Sequence, residues 1–313
     1  MLNMKSAKIN IWLIVDGKRG HEKQSEHLVK ELQKHIDIEI VRIKAMFLEP
    51  ILTKLFTILI PSSISHWFKQ DFQRGKPDLI IGAGHATHLH MIFAKILNGG
   101  KTVIIMKPSF PCSWFDLSLI PRHDGVPEKK GIFLTNGTIN NIENEKKHVN
   151  NRGLIVLGGH SKHFKWDNKF IIKQIYKIID QHPKIKFKIA TSRRTPKDFI
   201  DDLSDDFKKN TPVFKYEKVN KSWFSEEVKF SKHAWVTKDS ISMIYELIVA
   251  GSEVNLINLE KQSDSKISIE ISRLINTGYI RAYGDKRKRI NNTPLNNEAK
   301  RCASFIFKKW LKR

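Results

Sequence analysis

Short apolar runs that stop at glycine or polar clusters, each followed by an amphipathic stretch, set the rhythm of the chain. Ile9-Asn10-Ile11-Trp12-Leu13-Ile14-Val15 is the first such run. It ends at Asp16-Gly17-Lys18-Arg19-Gly20-His21-Glu22, after which Gln24 to Leu32 carries helical spacing. Residues 36–43 predict a second strand. Leu79-Ile80-Ile81 predicts a third, closing on Gly82-Ala83-Gly84-His85 before a helix from Thr87 to Leu97. Lys101 to Met106 and Phe115 to Ile120 continue the series. These runs lack the alternation of half-exposed strands, so both faces of the sheet are expected to be covered, as in a parallel α/β fold.

A polar stretch, Thr138 to Arg152, rich in Asn, Glu and Lys, marks a domain boundary. Gly153-Leu154-Ile155-Val156-Leu157-Gly158-Gly159-His160 then restarts the pattern. A helix over 168–180 follows, then a strand over 185–190 and the turn Thr191-Ser192-Arg193-Arg194-Thr195-Pro196 opening a helix. The strand His233 to Val236, a helix from Asp239 to Gly251 and the strand Val254 to Ile257 come next, and a last amphipathic helix runs from Asn296 to Leu311. The predicted organisation is two Rossmann-like domains, 1–145 and 150–290, with a terminal helix in 294–313.

The helix after Asp239 is the stretch with the clearest chemistry. Asp239 or Ser240 can N-cap it, Ile241, Ile244, Leu247 and Ile248 recur at helical spacing, and Gly251 suits its end. Free first-turn N–H groups, the hydroxyls of Ser240 and Ser242, and the positive end of the dipole favour a phosphate. Glu246 lies one turn beyond Ser242 on the same face, where its carboxylate can accept from both hydroxyls of a ribose. The same pattern also describes a capped crossover helix whose Glu faces water. Arg193 and Arg194 at a strand end are candidate phosphate clamps, being planar and always charged, or else a solvated turn.

Charge narrows the partners. With 55 Lys and Arg against 32 Asp and Glu, the 313-residue chain carries +23, dense at Lys286-Arg287-Lys288-Arg289 and over 308–313. Such a field attracts nucleic acid, anionic lipid or phosphorylated small molecules. Nucleic acid is disfavoured, because no interleaved aromatics or known module accompany the charge. Cys112 and Cys302 lie outside any CxxC pattern, and no secretory signal opens the sequence, so a reduced cytoplasmic setting is expected. Residues 45–68 are interrupted by Glu49, Pro50, Lys54, Pro61 and His66 and do not read as a membrane span. The piece from Ile51 to Ile60 reads as a buried helix or as one lying on a membrane face.

Several chemistries lack their residues. His85, His88 and His90 have no supporting carboxylate or cysteine cluster, so no metal site is expected, and no Asp-x-Asp pair offers a metal-held diphosphate. Gly82-x-Gly84 and Gly17-x-x-Gly20 are neither the dinucleotide fingerprint nor a P-loop, and no Gly-x-Ser-x-Gly elbow exists. No cofactor is expected. An epimerase on Rossmann-like sheets is disfavoured for want of dinucleotide glycines and a Tyr-x-x-x-Lys pair. Instead the polar clusters fall at the carboxyl ends of predicted strands, where open α/β sheets bind ligands.

An ordered set of motifs carries a resemblance. Val15-Asp16-Gly17-Lys18-Arg19-Gly20-His21-Glu22-x-Gln24-Ser25, Gly82-Ala83-Gly84-His85-x-Thr87-His88, Met106-Lys107-Pro108-Ser109, Phe115-Asp116-Leu117, Ile120-Pro121-x-His123-Asp124, Thr191 to Pro196 and Asp239-Ser240-x-Ser242-Met243-x-x-Glu246 stand in this order. Together they resemble the elongated-mitochondria fission-factor family and its bacterial glycosyltransferase-like relatives. The resemblance implies a GT-B architecture, two Rossmann-like domains with parallel sheets facing a central cleft and a C-terminal helix returning to the first. It also implies a metal-independent, inverting glycosyltransferase of the bacterial cell envelope, with the lipopolysaccharide core as acceptor class. The donor nucleotide-sugar would meet Gly158, Gly159, Ser192, Arg193, Arg194, Asp239, Ser240, Ser242, Met243 and Glu246. Asp16, His21 or Glu22 would take the acceptor proton. Gly84, His85, His88, Lys107, Ser109, His123 and Asp124 would line the acceptor side, for a glycan or lipid-linked acceptor, with peripheral contact to an anionic membrane. Because plant members are known for organelle division, a non-catalytic scaffold is the alternative.

Overall fold

The computed structural model describes residues 8–45, 75–140, 142–143, 145, 147–220, 222–263, 265–285 and 295–312. The apolar stretch 51–60 and the basic run 286–289 lie outside the described residues. The chain divides into two compact units, Met1–Asn141 with Asn297–Arg313, and Ile142–Asn296.

Unit 1 is built on β1 (Ile9–Val15), β2 (Ile38–Lys44), β3 (Leu79–Ala83), β4 (Lys101–Ile105), β5 (Leu117–Pro121) and β6 (Ile132–Thr135). They form one parallel sheet in the order β2-β1-β3-β4-β5-β6. Period-2 alternation separates its two faces. Trp12, Ile14, Ile80 and Ile104 pack with Leu89, Met91, Phe93 and Ala94 of α2 (His88–Asn98). Ile11, Leu13, Leu79, Ile81, Val103 and Ile105 pack with Leu28, Val29 and Leu32 of α1 (Arg19–Leu32). The C-terminal helix (Glu298–Ile306) completes that second layer, its small residues Ala299, Cys302 and Ala303 joining the same core. Both faces are therefore dry, which accounts for the near-continuous apolar runs.

Unit 2 repeats the plan. β7 (Val149–Val156), β8 (Phe164–Lys165), α3 (Asn168–Gln181), β9 (Lys186–Ala190), α4 (Asp205–Asn210), β10 (Val213–Phe214), α5 (Trp223–Phe230), β11 (Ser231–Thr237), α6 (Ile241–Ala250), β12 (Glu253–Ile257), β13 (Glu260–Lys261), α7 (Lys266–Asn276) and β14 (Ile280–Arg281) follow in order. Its parallel sheet runs β10-β9-β7-β11-β12-β14, and only the small β13-β8 pair is antiparallel. In each unit the first strand lies between two neighbours reached in opposite directions, β2 and β3 about β1, β9 and β11 about β7. Each sheet thus has a topological switch point at its first strand, the place where such sheets open a crevice.

Two boundaries differ from the periodicity. α1 starts at Arg19, ahead of the predicted Gln24, so His21 and Glu22 sit in its first turn. The reason is local. Glu22 Oε1 accepts the Gly17 N–H at 3.0 Å and Asp16 Oδ1 accepts that of Lys18 at 3.0 Å, closing the turn with carboxylates at the positive helix end. β7 begins at Val149, inside the polar stretch, because its first three residues are exposed and carry no apolar signal. Ser240 occupies the N-cap of α6 but makes no side-chain cap hydrogen bond. β6, β8, β10, β13, β14, α5 and α7 are additional to the predicted elements.

Candidate functional site

In unit 2 the loops after β7, β9 and β11 are tied together by one buried carboxylate. Asp239, its side chain 0% exposed, accepts the Gly159 N–H at 2.9 Å and pairs with Arg194 Nη2 at 2.7 Å. Arg194 also donates to the His160 carbonyl at 3.0 Å and to Ser240 Oγ at 3.3 Å. Gly158 donates to Thr237 Oγ1 at 2.8 Å, and its carbonyl accepts Ser192 Oγ at 2.6 Å and Thr195 Oγ1 at 2.5 Å. Burial pushes the Asp239 carboxyl above its ordinary value, opposed by the Arg194 charge and the Gly159 amide.

This network explains both glycines. A Cβ on Gly158 would lie 2.1 Å from Asp239 Oδ2, and one on Gly159 would lie 1.9 Å from the Arg194 carbonyl oxygen. Close backbone approach requires them. Arg194 and Asp239 are committed to each other and to the loops, so their role in the structure is to fix the geometry of the three strand ends. Arg193 differs: it is exposed and has no partner among the described residues.

On α6 every residue is buried except Ser242, Met243 and Glu246, which are half-buried. Ser242 and Glu246 share a face one turn apart. Met243 packs partly on the core beneath. The helix is held from behind. Tyr245 Oη donates to buried Glu270 of α7, whose carboxylate Arg273 grips through Nε at 3.0 Å and Nη2 at 2.7 Å. Thr195, Thr237 and Lys238 belong to this region and are absent from the predicted set. Lys238 Nζ donates to Asn258 Oδ1 at 2.5 Å, and burial lowers its pKa. A threonine ending a strand beside a glycine loop was the available signal for Thr237.

In unit 1 the polar clusters gather at the carboxyl ends of β1, β3, β4 and β5. His21 Nδ1 lies 2.8 Å from Asp16 Oδ2, the carboxylate being 1% exposed and the imidazole 22%. The His21 ring lies against Gly84, where a Cβ would approach Nδ1 to 2.1 Å and φ is +86°. Only glycine fits there, so the loops after β1 and β3 meet at the switch point. Glu22 is occupied with the Gly17 amide. His85 is exposed and shares a 2.7 Å hydrogen bond between its Nδ1 and Ser109 Oγ. Lys107 is exposed after β4, and His123 and Asp124 are half-buried in the 3-10 turn after β5. Met106, with φ +77°, is the one non-glycine residue of positive φ among those described, a strained position next to Lys107.

His88 is a different kind of group. It is 2% exposed, packed edge-on against His85, Phe110 and Phe115, and its pKa is lowered to about 4 by burial and then by His85. It is a neutral imidazole under the surface, so it supports His85 from below and does not itself present to a ligand. Among the described residues no group of three or more His, Cys, Asp or Glu side chains is placed to hold a metal ion. Among them too, no helix is long and apolar enough to cross a membrane.

The family described as mitochondrial fission ELM1 matches residues 19–310. The chain belongs to the mitochondrial fission ELM1 family. An uncharacterized protein of Rickettsia prowazekii (strain Madrid E) is 24% identical to this ELM1-family chain, covering 95% of it and 98% of the relative. The UDP-GlcNAc 2-epimerase of Methanocaldococcus jannaschii superposes with a TM-score of 0.60 at 15% identity, covering 96% of this chain and 100% of that one. MurG of Acinetobacter baumannii gives 0.53 at 12%, covering 97% and 100%. These likenesses establish the fold as GT-B-like, two Rossmann-like units with parallel sheets. A UDP-GlcNAc 2-epimerase thus stands on the same fold as a MurG.

Proposed function

We propose that this ELM1-family chain is an inverting, metal-independent glycosyltransferase of the bacterial cytoplasm. It takes a nucleotide-sugar donor and acts on a cell-envelope glycan of the lipopolysaccharide-core class, free or lipid-linked. The positive charge of the chain suits work beside an anionic membrane face. The observation that carries the reading is the Asp16–His21 pair. A buried carboxylate accepting from Nδ1 fixes the tautomer, leaving the Nε2 lone pair as the base. Of the three candidates, Asp16 then orients, Glu22 holds the turn, and His21 takes the proton. As the acceptor oxygen loses that proton it attacks the anomeric carbon from the side opposite the leaving group. The bond from carbon to phosphate oxygen breaks with its electron pair, releasing the nucleoside diphosphate.

On the donor side, the start of α6 with Ser242 suits the pyrophosphate, Glu246 the ribose, and unpartnered Arg193 the charge that develops on departure. Asp239, Arg194, Gly158, Gly159 and Ser192 hold those groups in place. On the acceptor side, His85, Lys107, Ser109, His123 and Asp124 supply the polar contacts.

A second reading, a nucleotide-sugar epimerase, is favoured by the TM-score of 0.60 to the UDP-GlcNAc 2-epimerase. The non-catalytic scaffold is the third outcome of one experiment. Thermal shifts with UDP, GDP, ADP and CMP nucleotides and their sugars are measured on wild type and Glu246→Ala. A ligand at about 100 times its dissociation constant stabilises by about 2.7 kcal/mol. Stabilisation of wild type that Glu246→Ala loses supports the donor site. Conversion of UDP-GlcNAc to its C2 epimer without acceptor would replace transfer by epimerisation. No shift with any nucleotide would leave the scaffold.

A further inference from the structure

The loop between β4 and β5 spends aromatic side chains at the surface beside the polar acceptor-side cluster. Trp114 is the one exposed tryptophan among the described residues, at 41%. Its ring stacks on Phe110 at 5.2 Å and 15°, and Phe110 meets His88 edge-on at 5.9 Å. Phe110 is rooted in the core that holds Trp12 and Ile14, so the outer ring rests on a fixed inner one.

The loop's backbone is held at both ends. Met106 donates its N–H to the Leu119 carbonyl at 2.9 Å in its left-handed conformation, and Trp114 and Phe115 close a 3-10 turn onto Pro111 and Cys112. Pro108 and Pro111 remove further freedom. Ser109, next to Phe110, is bonded to His85, and Lys107 is exposed without a partner among the described residues. The patch is therefore a supported aromatic face on the loop that also carries exposed Lys107 and the Ser109–His85 pair.

We infer that the Phe110–Trp114 stack is the platform on which the acceptor's sugar ring lies, Lys107, Ser109 and His85 meeting its hydroxyl edge. The inference rests on the glycosyltransferase reading and names the residues that choose the acceptor. A pyranose has one face of C–H groups and a rim of hydroxyls. The C–H face complements the negative face of an aromatic ring, and the rim needs hydrogen-bond partners at its edge. An acyl chain would call for a contiguous apolar surface instead, and here the aromatic face ends in polar side chains on the Lys107–Ser109 side. Trp114 is a specificity residue in this scheme, and His21 remains the base.

The test is saturation-transfer NMR on the full chain with methyl glycosides of glucose, galactose, mannose, N-acetylglucosamine and a heptose, alongside the nucleotide panel. At least one glycoside should receive saturation on its ring C–H protons. Trp114→Ala should reduce that signal at least fivefold and Trp114→Phe should keep most of it, with nucleotide-induced thermal shifts unchanged in both. No signal from any glycoside with wild type, or a signal that survives Trp114→Ala, overturns the platform. So does Trp114-dependent binding of phosphatidylglycerol vesicles without a glycoside signal, which would assign the face to lipid. The nucleotide arm is read separately: nucleotide binding without glycoside binding removes the platform alone, and glycoside binding without nucleotide binding removes the transferase reading alone.

Discussion

Protonation of His88 should make unit 1 acid-labile, and the size of the effect follows from its surroundings. The imidazole is 2% exposed, ringed by Phe110, Phe115 and His85, and its Nδ1 has no hydrogen-bond partner among the described residues. Burial, and then the neighbouring His85, take its pKa from 6.5 to about 4. The charged form is disfavoured in the fold, so between these values the unfolded chain binds a proton that the native state refuses. Stability from this group is complete above about pH 6.5 and is lost as pH falls toward 4. At 1.36 kcal/mol per unit the whole shift is worth about 3.4 kcal/mol, of which about 2 kcal/mol is lost by pH 5. Urea unfolding from about pH 7.5 to about pH 5, on wild type and His88→Phe, measures it. Phenylalanine forfeits no hydrogen bond at Nδ1 and cannot titrate, so the variant should have the flatter profile by about 2 kcal/mol. His27 and His148, whose pKa values burial also lowers, are present in both proteins and cancel. Parallel profiles, whatever their absolute offset, would show that the site admits the proton and that the burial argument is wrong.

The two neighbouring arginines should separate. Arg194→Ala strands a buried Asp239 and should cost about 1–3 kcal/mol in urea unfolding, toward the low end because the guanidinium is partly exposed. Arg193→Ala should stay within about 0.5 kcal/mol of wild type while losing most of the nucleotide-induced thermal shift. Glycines divide in the same way. Gly159→Ala drives a methyl into the Arg194 carbonyl and should destabilise unit 2 by about 1–3 kcal/mol or more. Gly20→Ala meets nothing within 4 Å in the first turn of α1 and should raise stability by about 0.5–1 kcal/mol.

Periodicity made the sheets legible because both of their faces are covered. Ile11 to Ile14 and Leu79 to Ile81 have no solvent side, and so they read as apolar runs. β7 escaped at its start for the opposite reason, since Val149 to Asn151 face water. Strand order was not legible, and with it went the switch points that bring the Asp16 loop against Gly84 and the Gly158 loop against Asp239. The pairing of Arg194 with Asp239 spans 45 residues, and no spacing rule reaches that far.

The same separation bears on what the motif residues are for. Read along the chain, Gly158, Gly159, Arg194 and Asp239 look like ligand contacts, because glycine, arginine and a helix-opening aspartate are what a phosphate site needs. Folded, they hold one another: a carboxylate at 0% exposure takes an amide and a guanidinium on Oδ2, and the glycines leave room for it. Outside that network stand an exposed arginine one residue earlier and a half-buried stripe of Ser242, Met243 and Glu246 on a helix otherwise sealed. A motif can therefore persist for its internal geometry while the donor is met by neighbours outside that network. Variants at Arg193 and Ser242 test the donor site, whereas those at Arg194 and Asp239 test the loops that carry it.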